Sequence, residues 1–369
     1  MKYDIFNLTQ KRDDGWSAKR VLNHAADQVR LADELGFETA WFAEHHLSNY
    51  CLIPSPLMAC AYLAPITKTI RLGAAVVVAP LYNPLRLVQE IALVDQLSDG
   101  RLSLGLGAGY QDYEFDRFGV KLKDGVEMTV EMLDIIERAL TADSFAYDGK
   151  HYKIPQTQIA TKTVQQPLPD IWVAGLSGIE SLQDRMVASG YCPMHSPAWM
   201  PIDVVKRPRA GYDDRLRKAG RDPDTARFGV QRFIYVTDDK AEARKAAEHA
   251  RYSSRLSQSL TNNTYKFDGY YIREEVCDYE PPIEDCMKNY VIGSADHAIE
   301  TLVKDWETVR PSNIICTLQL GGVPEEKVMR TLELLGSKII PGVEKELAAR
   351  GAKQPEAIVT RPQLAQAAE

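Results

Sequence analysis

The chain has 369 residues, with 44 Lys and Arg against 51 Asp and Glu, for a net charge of −7. Its 45% apolar and 26% charged residues fit a globular protein with a large core and exclude disorder as the main state. The mild acidity, with no basic block, argues against nucleic acid as the main partner. The longest uncharged stretch in the most apolar region, residues 72–85, is too short for a membrane span of about 20 residues.

Short apolar runs alternate with helical patterns, as repeated βα units around a parallel sheet do. Residues 3–8 form the first expected strand. Leu22, Ala25, Ala26, Val29, Ala32 and Leu35 recur at helical steps and make one buried face, and Gly36 is placed to end that helix. A second strand follows at 39–43, a helix at 56–64, a valine-rich strand at 70–78 and a helix at 84–97 that opens on Pro84. Ser98, Asp99 and Gly100 turn the chain into a fourth strand at 101–107. A helix at 124–140 and a hairpin at 145–154 lead to a fifth strand at 171–174. A helix at 179–189, a sixth strand at 191–195, a helix at 202–219, a seventh strand at 228–236 and a helix at 241–250 come next. The eighth strand is expected at 314–320, with a closing helix at 324–335.

Eight strands with intervening helices predict a single α/β domain, a (β/α)8 TIM barrel over 1–350, with a loosely ordered tail at 351–369. Its longest insertion lies between strands 7 and 8. There residues 252–290 are polar and rich in tyrosine, and read as an active-site lid or an interface. The six cysteines have no CxxC spacing, so neither a zinc site nor a disulfide framework is expected. With no apolar leader at the N-terminus, a cytoplasmic location is expected.

Three stretches carry chemistry. Trp41-Phe42-Ala43-Glu44-His45-His46 ends the second strand, at the rim where barrel enzymes keep their catalytic groups. Successive strand residues face opposite ways, so only one of His45 and His46 can enter the barrel. Histidine titrates near neutrality and can move a proton. In Leu102 to Gly107 the leucines alternate with Ser103, Gly105 and Gly107. One strand face is therefore nearly bare, with room for a flat ring system or for tight packing. In Ala174-Gly175-Leu176-Ser177 a strand passes through a small-residue loop toward a helix, a setting for a phosphate or simply a cap. His195 ends the sixth strand and can reach the same pocket or sit satisfied in the core.

Together these stretches resemble the bacterial luciferase-like, flavin-dependent monooxygenase superfamily. The likeness runs from Gly36-Phe37 and Glu44-His45-His46, through Leu97-Ser98-Asp99-Gly100-Arg101 and Gly107-Ala108-Gly109-Tyr110, to Ser312-Asn313-Ile314-Ile315. It implies a TIM barrel and a homodimer. It also implies an enzyme that takes reduced FMN from a separate flavin reductase and uses dioxygen to oxygenate a small organic substrate, through a flavin hydroperoxide, by hydroxylation or Baeyer–Villiger insertion. By the same resemblance His45, with Glu44 and His46, is catalytic. Ala75 and Val76 match a cis peptide under the flavin ring, and Gly175, Leu176 and Ser177 match the loop at its phosphate. Gly107, Tyr110, Ala174 and His195 complete the expected cofactor site, and Tyr113 is expected to shape the pocket. No metal is implied. Gly107 stands where luciferase has a reactive cysteine, and Ala108 where it has an arginine, so light emission is not implied. Competing readings are a deazaflavin-dependent dehydrogenase or reductase of the same superfamily, a metal-dependent barrel hydrolase built on Glu44, His45 and His46, and a non-catalytic flavin-binding protein.

Overall fold

The computed structural model describes residues 1–174, 179–358 and 361–362. Eight parallel strands close into a barrel: β1 (Lys2–Asn7), β2 (Thr39–Phe42), β3 (Arg71–Val78), β4 (Leu102–Gly107), β5 (Asp170–Ala174), β6 (Cys192–His195), β7 (Gly229–Val236) and β8 (Asn313–Thr317). Each pairs with its neighbours in chain order. The ring closes where Ile5 sits opposite Cys316 and where Gly229 sits opposite Met194. The expected fold and all eight strands are present.

Helices cover the outside. The first ones are α1 (Ala18–Glu34), α2 (Pro56–Leu63), α3 (Pro84–Leu97), α4 (Asp112–Phe118), α5 (Gly125–Thr141), α6 (Glu180–Ser189) and α7 (Lys206–Lys218). In α1 the Ser17 side chain accepts the Arg20 amide at the N-terminus, and Gly36, at φ +79°, follows the C-terminus, both as such ends require. Ala25, Ala26, Val29 and Ala32 of the expected face of α1 are buried, with Val21 beside them, whereas Leu22 is exposed. Asn83 caps α3 by accepting the Arg86 amide, with Pro84 in the first turn. The expected hairpin forms from Phe145–Asp148 and Lys153–Thr157.

The largest departure lies between β7 and β8. Helix α8 (Lys240–Thr261) runs well past residue 250. Tyr252, Leu256 and Leu260 are buried at four-residue steps, so the polar sequence between them forms the other helix faces rather than a loop. A small hairpin, Phe267–Asp268 with Tyr271–Ile272, then precedes α9 (Ile283–Asn289). Strand Val291–Gly293 adds to the outer edge of β7, and α10 (Ala295–Val309) returns the chain to β8. After β8 come α11 (Glu325–Leu334) and α12 (Ile340–Ala349).

The N-terminal end of the barrel is sealed by polar groups. Asp170 pairs with Arg227 at 2.5 Å and accepts from Trp172 Nε1 at 2.7 Å. Asn313 Nδ2 donates to the buried Asp4 at 3.0 Å. The described part of the C-terminal tail crosses this end. Glu356 pairs with Arg221 at 2.5 Å, and Arg361–Pro362 pairs with Gln165–Gln166. Above this layer Trp41 and Trp172 meet edge to face at 5.1 Å and separate it from the C-terminal rim.

Candidate active site

At that rim lies a cavity of about 530 Å³. Its floor is apolar, built from Phe6, Leu8, Ala43, Ala75, Val76 and Val78. The Ala75–Val76 peptide is cis, the form that the resemblance implies there, and the pairing of β3 with β4 slips between Ala74 and Val77. The bare face of β4 is used in two ways. A Cβ at Gly105 would lie 2.3 Å from the Ala74 carbonyl oxygen, so the room expected there is filled by the backbone of β3. A Cβ at Gly107 would lie 2.7 Å from Val76 Cγ2, and Gly107 itself borders the cavity.

His45 faces the cavity and His46 does not, because the extended backbone alternates its side chains. The His45 ring packs against Tyr50 at 4.9 Å. Its Nδ1 receives a hydrogen bond from Gln111 Nε2 at 2.7 Å and lies 3.4 Å from Glu114 Oε1. Its Nε2 lies 3.4 Å from the Tyr110 hydroxyl. With the Gln111 amide donating to Nδ1, the ring hydrogen of neutral His45 sits on Nε2, as the assigned amide orientation requires. Burial raises the Tyr50 hydroxyl above the ordinary tyrosine range and the Tyr110 hydroxyl well above it, so both stay protonated.

Glu44 is buried at the cavity edge and serves as a strut. It accepts from His46 Nε2 at 3.1 Å, from the Tyr82 hydroxyl at 2.9 Å and from the Val78 amide at 3.3 Å. Burial raises its carboxyl above the usual range, and these three bonds oppose that rise. His46 packs edge-on against Phe118 at 4.7 Å and donates its backbone amide to Glu114 Oε1 at 2.6 Å. Tyr113 does not reach the cavity. It lies under Tyr265 and Phe267 of the insertion, and its hydroxyl donates to the His46 carbonyl, because helical spacing turns it away from the side that carries Glu114.

On the opposite wall, Ala174 and His195 border the cavity. His195 stacks on Phe228 at 4.9 Å, and burial lowers its imidazole to about 4, so it is neutral at working pH. Gly175, Leu176 and Ser177 lie outside the described residues. The end of α8 supplies Ser253, Ser254, Ser257 and Thr261, and β7 and β8 supply Gln231 and Thr317. Gln231 Nε2 donates to the Thr317 hydroxyl at 2.7 Å. These hydroxyls face the imidazole and tyrosines across the space.

Tyr50, Gln111, Glu114 and the α8 hydroxyls are the lining or supporting groups that sequence reasoning missed. The one signal for the last set is the step of four residues from Ser253 to Ser257 to Thr261. Among the described residues no group of three or more His, Cys, Asp or Glu is placed to hold a metal ion, and no helix is long and apolar enough to cross a membrane.

Known proteins give this geometry its context. The model of the luciferase-like monooxygenase family matches residues 1–309. The uncharacterised protein y4vJ of Sinorhizobium fredii is 36% identical, over 94% of this chain and 99% of its own. The oxygenase component of flavin-dependent trigonelline monooxygenase from Acinetobacter baylyi is 26% identical, over 92% of this chain and 95% of its own. Among solved structures, the monooxygenase RslO1 of Streptomyces bottropensis aligns with a TM-score of 0.81 at 22% identity, covering 92% of this chain and 99% of its own. The FMN complex of the oxygenating constituent of 3,6-diketocamphane monooxygenase from Pseudomonas putida aligns at 0.75 and 20%, covering 92% and 98%. The chain belongs to the family of luciferase-like, flavin-dependent monooxygenases.

Proposed function

We propose that this chain is the oxygenase component of a two-component FMN-dependent monooxygenase. It takes reduced FMN from a separate reductase and uses dioxygen to oxygenate a small organic substrate by hydroxylation or Baeyer–Villiger insertion. The observation that carries this reading is His45 at the rim of a 530 Å³ cavity, beside an apolar ledge of Ala75, Val76 and Gly107. The relative that is named as an oxygenase component supports the separate reductase. The FMN complex of a structural neighbour supports the cofactor.

The residues present fit a flavin. The ledge gives a ring system a flat apolar seat, because Gly107 adds no side chain beside Val76. Tyr110, Ala174 and His195 border the same space. The chain then runs to Gly175, Leu176 and Ser177, which we assign to the phosphate end. Bound reduced FMN supplies the electrons that activate dioxygen. His45 presents its Nε2–H to the cavity, where the charged ring gives a proton. Glu44 and His46 hold the end of β2 against β3 through the Val78 amide and Tyr82. The neutral His195 offers hydrogen bonding but no charge. The hydroxyls of Ser253, Ser257 and Thr261 orient a substrate that carries hydrogen-bonding groups. The end of α8 walls the cavity and shields it from water, which protects a reactive oxidant. A cytoplasmic location, a homodimer, and no role for nucleic acid, membrane or metal complete the reading.

The test is to mix anaerobic protein and reduced FMN with oxygenated buffer in a stopped-flow spectrometer. A protein-dependent absorbing species, distinct from reduced and oxidised flavin and longer-lived than in free FMN, is expected. Oxidation that matches free FMN overturns the oxygenase reading. Tight and selective binding of a deazaflavin in place of FMN overturns the cofactor assignment.

A further inference from the structure

A buried carboxylate needs a partner, because an uncompensated charge out of water costs several kcal/mol. Glu114 is buried, at 1% exposure, in the first turn of α4. Among the described residues no Lys or Arg comes within 4 Å of it. Its one ionic neighbour is His45 Nδ1, at 3.4 Å, and its one hydrogen-bond donor is the His46 amide, at 2.6 Å. Gln111, just before α4, reaches the same nitrogen at 2.7 Å, and its Oε1 is buried with no partner. Two side chains of one short segment thus meet at the ring atom that faces away from the cavity.

We infer that Glu114 and Gln111 are positioning residues for His45, which satisfy Nδ1 in both of its states. In the neutral ring, the Gln111 amide N–H donates to Nδ1 and leaves the hydrogen on Nε2, toward the cavity. When the ring gains a proton, Nδ1–H needs an acceptor. Glu114 Oε1 supplies it along with the opposite charge, and a half-turn of the Gln111 amide brings its orphan Oε1 to the same side. The proton that charges the ring therefore arrives at Nδ1, on the side away from the cavity, and Nε2 keeps its hydrogen toward the cavity in both states. The remaining titratable groups around His45 are Tyr50 and Cys51 after β2, Tyr110 after β4, and Glu44 and His46 on its own strand end. Burial keeps the tyrosines and Cys51 protonated. Glu44 is held by His46, Tyr82 and Val78. Glu114 is thus the carboxylate left to answer a charged ring.

The inference rests on the proposed acid–base role of His45, and the experiment separates the two. The apo protein, labelled with 15N-histidine, is examined by NMR as wild type, Glu114→Gln and Gln111→Leu. Wild type is expected to hold the neutral His45 hydrogen on Nε2, and to show a downfield Nδ1–H signal once the ring is charged. Glu114→Gln keeps an oxygen for the His46 amide, so it folds as wild type but loses that downfield signal. Gln111→Leu is expected to release a mixture of tautomers. With reduced FMN and dioxygen as probes, Glu114→Gln is expected to lower the protein-dependent rate about tenfold, the low end of what placed proton transfer gives. The acid limb of its pH–rate profile is expected to move to lower pH. Unchanged ring signals and an unchanged profile in Glu114→Gln overturn the inference alone. A His45→Ala protein that reacts as wild type overturns the role of His45, while the apo spectra still decide how Nδ1 is held.

Discussion

Two buried carboxylates, Asp4 and Glu44, divide stability from function. Glu44 has three donors, and its burial is compensated by bonds to the parts it holds together. Asp4, at the closed end of the barrel, accepts from Asn313 Nδ2 at 3.0 and 3.3 Å. Burial raises its carboxyl to about 7. The sign follows from proton linkage. Between about 4, where the unfolded carboxyl titrates, and about 7, the folded state binds more protons than the unfolded one. Stability is therefore lost as pH rises through that window. Asp4→Asn keeps an oxygen for Asn313 and has no charge to bury. It is expected to match wild type in thermal stability near pH 4 and to exceed it at pH 8, by on the order of 4 kcal/mol. Melting curves across that range check this, and a difference that does not change with pH sinks the account.

At the scale of elements, β4 and α8 separate what sequence can say from what it cannot. The alternation of leucine with Ser103, Gly105 and Gly107 was legible, and the two glycines do have a purpose. Their division of labour was not, because the slip of β3 at Ala74–Val77 is a property of the partner strand. The two positions are expected to respond differently. Gly105→Ala drives a methyl against the Ala74 backbone oxygen, which cannot rotate away, and is expected to cost about 2–3 kcal/mol of stability. Gly107→Ala meets only the Val76 side chain, so the fold is expected to survive while reduced FMN binds about tenfold more weakly, a change of about 1.4 kcal/mol. Calorimetry and equilibrium dialysis read the two effects. Equal losses of stability in both variants contradict the packing argument. The pair His45–His46 was equally legible, since strand alternation requires that one enters the barrel. What decides that it is His45 is the set of partners at 65 to 70 residues' separation, Tyr110, Gln111 and Glu114, which local periodicity does not report. Helix α8 was cut short for a related reason. Its Ser and Thr positions look like a loop until Tyr252, Leu256 and Leu260 are seen to be buried beneath them.

At the scale of the whole molecule, an apolar surface lies outside the barrel's own packing. Helices α2 and α3 pack side by side, and their outer faces expose Met58 (72%), Tyr62 (65%), Leu93 (52%) and Leu97 (53%), with Ile66 just beyond α2. Single exposed apolar residues are ordinary, but a contiguous group of large ones marks an interaction surface. A two-fold dimer brings one patch onto its own copy, and the homodimer implied by the resemblance has here a face suited to it. The patch also lies on helices that follow β2 and β3, the strands that carry His45 and the Ala75–Val76 ledge. Pairing these helices with a second copy stiffens the two strands on which the proposed site depends most. Tyr62→Glu combined with Leu93→Glu places two charges in each face and four in the pair. Wild type is expected to run as a dimer in size-exclusion chromatography with light scattering, and the double variant as a monomer. Its barrel is expected to stay folded, because neither side chain is buried in the monomer. Reduced FMN is expected to bind more weakly, since the ledge loses its outer support. A variant that stays dimeric moves the interface to another face of the molecule, and a monomer with wild-type flavin affinity uncouples assembly from the site.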